Sequence, residues 1–168
     1  DVYKRQTENV RIDERHMYSV AFAAFLRDQA ERGREWHTIG DFFLGTDLVP
    51  EGLTHLEDYL ADLPSDITAA YRRIFPAAVH DSLRIESKGW IQPYLDLWKK
   101  EYDGFKHDHS TLVQARDAMS AEHNFKGAEG VRFSINTLVR QNLLTYLPRV
   151  NLLPKSVSYT HLTLPTNR

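Results

Sequence analysis

The chain has 168 residues, no cysteine, and 21 Lys and Arg against 23 Asp and Glu, a formal net charge of −2. Without cysteine there is no disulfide framework and no thiolate metal site, and without a basic excess there is no footprint for general nucleic-acid binding. No apolar run approaches the roughly 20 residues that a membrane-spanning helix needs, so a cytoplasmic protein with no membrane partner is the default expectation.

The two ends read as foreign to the domain. Residues 1–6 (DVYKRQ) are similar to the translation of a transposon end used in preparing sequencing libraries. Residues 157–168 (VSYTHLTLPTNR) are similar to its complementary strand and the adapter that follows. Both segments are expected to be adapter-derived and are excluded from fold reasoning. Residues 7–156 then form a truncated fragment with 18 basic and 22 acidic residues, a net charge of −4. That length is enough for one domain with its own core.

In chain order the pattern is helical. A first helix spans about Asp13 to Arg32, with Tyr18, Ala21, Phe22, Phe25 and Leu26 on one stripe and Gly33 as the stop. Residues 34–52 read as irregular or short helix. A second helix carries Leu53, Leu56, Tyr59, Leu60 and Leu63 and ends at Pro64. Ser65 is the expected cap of a third, with Ile67, Tyr71, Ile74 and Phe75 inward. Pro76 opens a fourth that ends near Gly89, and Pro93 a fifth that closes at Gly104. Ser110 caps a sixth, TLVQARDAMSAEH. After a Gly-containing loop, Ser134 to Leu147 forms the seventh. Strand signals are weak. The expected fold is all-α, one bundle of about six to seven helices.

Seven histidines lie outside the end segments: His16, His37, His55, His80, His107, His109 and His123. None stands in a tight zinc motif such as HExxH. His107-Asp108-His109 falls in an expected polar loop, where solvation or capping by Asp108 is the ordinary role. Two positions stand out. His16 opens the apolar stripe of the first helix. Asp117 shares a stripe with Val113 and Ala121, and an inward carboxylate needs a cation, a donor cluster or a metal. A capping histidine and an Asp–Arg pair are the plain alternatives.

The segment ERHMYSVAFAAFL resembles the opening helix of the HD-domain phosphohydrolases, in particular the 5′-deoxynucleotidase branch that includes the HD-domain-containing protein 2 type. PYLDLWKKEYDGF and STLVQARDAMSAEH resemble that family's later signatures, in the same order. Thr7 to Val10 (TENV) resembles the approach to the first segment. The resemblance covers Thr7 to His123, with 101 positions between His16 and Asp117. It implies a divalent metal (Mn, Co, Fe, Zn or Mg) held by two histidines and two aspartates, with a bound water made nucleophilic near neutral pH. It also implies hydrolysis of deoxynucleoside 5′-monophosphates and a homodimer. An Arg and a Trp upstream of TENV, which would help hold the substrate, are expected to be lost to truncation.

Residue by residue, His16 matches the first metal histidine and Asp117 the last metal aspartate. The central His-Asp dyad has no clean match. In FFLGTDLVPEGLTH, Asp47 falls on the Asp of the dyad, Thr46 on its His, and Glu51 on the following acid if one residue is inserted. A competing fit places Glu57 and Asp62 on the acidic portion, and His37 or His55 could supply the missing ligand from a shifted position. Glu51 and Glu57 are thus the candidate catalytic acids. His80-Asp81 is the other apolar-preceded His-Asp pair, but it comes too late for the family's order. Two alternatives stand beside the phosphohydrolase. One is an HD-fold protein without catalysis, acting in binding or regulation. The other is a metal-independent ribonuclease of the HEPN class, suggested by Arg116 and His123 at an Arg-x6-His spacing.

Overall fold

Phe42 packs against five aromatic rings: Phe22, Phe25, Trp36, Phe43 and Trp98, with centroids between 5.0 and 6.5 Å away. Around this centre the computed structural model describes residues 1–154. They form seven α-helices: α1 (Val2–Glu31), α2 (Ile39–Leu44), α3 (Gly52–Ala61), α4 (Ser65–Ile74), α5 (Ile91–Ala121), α6 (Phe125–Val139) and α7 (Leu143–Arg149). The all-α fold is therefore observed. Among the described residues no helix is long and apolar enough to cross a membrane. Residues 157–168, expected to be adapter-derived, lie outside the described residues.

Several boundaries differ from expectation. α1 begins at Val2 rather than near Asp13, capped by the Asp1 carboxylate, which accepts from the Tyr3 amide at 3.2 Å. No Gly or Pro interrupts Val2–Glu31, so a helix nucleated by the buried stretch Met17–Phe25 can propagate back through exposed turns. Residues 1–6 are all exposed. Ser65 is the first residue of α4 and not its cap; Pro64 holds that place without a side-chain bond.

The fourth expected helix is absent. A single 3₁₀ turn, Ala77–Val79, is followed by turns up to Trp90. Arg84 and Lys88 take left-handed conformations, φ 54° and 59°. The Ile85 and Gly89 amides then donate to the carbonyls five residues back, on His80 and Arg84. These are two successive helix-stop closures, and they turn Leu83 and Ile85 into the core.

The fifth and sixth expected helices are one, the 31-residue α5. Gly104 does not end it, since one exposed glycine costs only about 1 kcal/mol in a helix and Trp98 and Phe105 are buried on either side. The seventh splits. Asn142 leaves the helical path, pairs in extended form with Thr38, and caps α7 by accepting from Leu144 and Thr145 at 3.0 and 3.2 Å. The Gly-containing stretch expected as loop is the first half of α6.

Two glycines make opposite demands. A Cβ on Gly40 would lie 2.6 Å from the Val139 carbonyl oxygen, so α2 and α6 meet too closely for a side chain. A Cβ on Gly104 would meet nothing within 4 Å. Gly40→Ala is expected to destabilise by about 1–3 kcal/mol through overpacking, and Gly104→Ala to stabilise by about 0.5–1 kcal/mol. Urea unfolding of both variants checks this; shifts of the same sign would contradict the α2–α6 contact.

The core also fixes an alkaline limit. Tyr71 donates to the Met17 carbonyl at 2.7 Å, tying α4 to α1. Burial pushes the hydroxyls of Tyr71 and Tyr94 well above the usual tyrosine range. The fold keeps both protons while the unfolded chain releases them near pH 10. Stability is thus full below about pH 10 and lost as pH rises above it, at roughly 1.4 kcal/mol per pH unit for each group. Unfolding midpoints are expected to hold level to that point and then fall. Tyr71→Phe should start lower but fall less steeply, and a wild-type midpoint still level at about pH 11 would contradict the burial.

Candidate functional site

His16 lies inside α1, one residue before the buried run Met17–Ser19, and is exposed. It does not cap the helix. Its ring meets Phe75 edge-on, with centroids 5.5 Å apart. Phe75 ends α4, and its carbonyl accepts from His80 Nε2 at 2.7 Å. The fold thus brings His16 and His80 to the same residue, a convergence that the order of the motifs argued against.

Asp117 does not face inward. Its side chain is 65% exposed and pairs with the neighbouring Arg116 at 3.1 Å. The cause is helical register. The expected stripe followed Val113 and Ala121, but Val113 is only half-buried and Ala121 is exposed, so that stripe is not the inner face of α5. Trp98 and Phe105 fix its inner face, and eleven residues on, about three full turns, that face carries Arg116. Asp117 is rotated about 100° out of it.

The two best-matched metal residues are also far apart. Tyr18 stacks on Tyr94 at 4.3 Å and Phe22 meets Trp98 at 5.3 Å, so α1 and α5 run in the same direction where they touch. His16 is therefore beside the start of α5. Asp117 is 23 residues beyond Tyr94, roughly 35 Å along the helix. Ligands of one metal ion lie within about 2–2.6 Å of it, so His16 and Asp117 do not share one.

Asp47 is exposed in the loop after α2. It lines a cleft of about 640 Å³ with Glu35, His37, Asp41 and Thr46. Thr46 is occupied by the turn itself, its hydroxyl accepting from the Leu48 and Val49 amides. Asp41 closes a capping box with Thr38. That role was legible in the Thr-x-x-Asp spacing. Three carboxylates beside one histidine make this cleft unfavourable for a phosphate dianion.

Glu51 stands at the N-terminus of α3, and its carbonyl accepts from His55 Nδ1 at 2.9 Å. His55 lines a second cleft, about 320 Å³, with Asp28, Arg32, Asp58 and Asp62. Asp28 is already paired with Arg32 at 3.2 Å. Glu57 is half-buried on α3. Asp47, Glu51 and Glu57 thus belong to one stretch, the loop after α2 and α3, while His16 lies near the start of α5 and Asp117 near its far end. Among the described residues no three His, Asp or Glu side chains gather as a metal-binding set.

His107-Asp108-His109 is helical, within α5, and not a loop. His109 stacks on Phe105, and burial there holds its pKa below the usual value, with Lys106 and Arg116 adding to the shift. Arg116 and His123 both lie near the free end of the α5–α6 hairpin. His123 follows α5 in a left-handed conformation, φ 61°, with its ring against Phe125.

No family profile, curated protein or solved structure matches the chain. Among the described residues the fold itself is all-α and carries acid-rich clefts beside α2 and α3. An exposed pair such as Arg116–Asp117 contributes at most about 1 kcal/mol. Asp117→Asn should therefore move the melting temperature by no more than about 3 °C. A loss of several times that would reveal a carboxylate held by something stronger than Arg116.

Proposed function

We propose that this chain is a helical binding or regulatory module that does not run the metal-dependent phosphohydrolase chemistry its motifs suggest. The supporting observation is the roughly 35 Å of α5 between the level of His16 and Asp117. A metal that activates water needs its ligands converging on one point. Helix ends and side-chain rotations move atoms by a few ångströms, not by the length of six helical turns.

One observation favours the other reading. His16 touches the Phe75 ring and His80 its carbonyl, and Asp81 follows His80. These three side chains do not gather as a metal-binding set, so a metal-dependent nucleotidase built on them would first have to draw them together. The 5′-nucleotide substrate, divalent metal and homodimer implied by the resemblance belong with that reading.

Thermal melts with Mn, Co, Zn or Mg, together with phosphate release from deoxynucleoside 5′-monophosphates, separate the two. The binding-module reading expects no metal-dependent rise in melting temperature and no release above the metal-only blank. A resident metal at 100 times its dissociation constant would add about 2.7 kcal/mol. A shift of that size abolished by His16→Ala and by His80→Ala, with metal-dependent release, would establish the rearranged nucleotidase. If Asp117→Asn also abolished it, the separation inferred from α5 would be wrong.

A further inference from the structure

We draw no further inference here: the strongest candidate, the outward face of α6 near the free end of the α5–α6 hairpin, where Phe125 and Phe133 are exposed, is an unpartnered apolar surface, and nothing in the structure shows what covers it.

Discussion

The burial of Phe42 constrains more of this fold than any other side chain. It stands on α2, a helix of six residues, far too short to hold its conformation alone. Its order comes from outside. Phe22 and Phe25 of α1, Trp36 before α2, and Trp98 of α5 enclose the ring. Such aromatic pairs add about 0.5–1.5 kcal/mol each beyond the area they bury. The neighbouring chain is shaped to allow it. A Cβ on Gly52 would lie 2.3 Å from the Phe42 ring, so α3 can begin there only with glycine. At the other end of α2, the Thr38 capping box and the extended pairing with Asn142 set the angle at which the helix enters the core.

That packing also decides what chemistry the surface can support. Once Trp98 is seated against Phe22 and Phe42, the direction and rotation of α5 are set for its whole length. His16, just ahead of the buried part of α1, is carried to the start of α5. Asp117 is carried to the opposite end and turned to solvent. Neither residue is displaced by a local defect. Both sit where a continuous 31-residue helix puts them. The loop after α2 follows the same logic, since Trp36 donates to the Pro50 carbonyl at 2.8 Å and Thr46 closes a turn inside that span. Asp47 is left at the lip of an acidic cleft rather than in a ligand cage.

The buried stripes were legible in the sequence, apart from Ile74, which was expected inward and is exposed, because apolar spacing reports which face is covered. Tyr18, Phe22 and Phe25 on α1, Leu53, Leu56 and Leu60 on α3, and Ile67 and Tyr71 on α4 all lie in the core. The helix ends were less legible. Gly104 reads as a stop, but a glycine ends a helix only where a left-handed residue or a competing contact takes the chain elsewhere. The converse holds at Arg84 and Lys88. These residues have no special turn propensity, yet both take positive φ where the Ile85 and Gly89 amides close back on the His80 and Arg84 carbonyls. Asn142 breaks the last expected helix because its side chain offers the backbone a cap and a distant segment, His37–Ile39, offers hydrogen bonds. No local pattern records that second partner.

Two of the motifs that suggested catalysis consist largely of core positions. In PYLDLWKKEYDGF the resemblance rests on Leu97-Trp98 and Glu101-Tyr102, of which Trp98 is buried, Glu101 and Tyr102 are half-buried and Leu97 is exposed. In ERHMYSVAFAAFL the pattern rests on His16, which is exposed, and on Tyr18, Ala21, Phe22 and Phe25, which are core positions. Two amphipathic helices with aromatic inner faces suffice to produce both segments in order, whatever sits at their polar positions. A ligand set makes a stricter demand, because it fixes distances between side chains on different helices, and those depend on how the helices cross. His16 and His80 show the difference. They are 64 positions apart and follow no expected order, yet each touches Phe75, His16 at its ring and His80 at its backbone carbonyl, while His16 and Asp117, at the expected spacing, lie at opposite ends of α5.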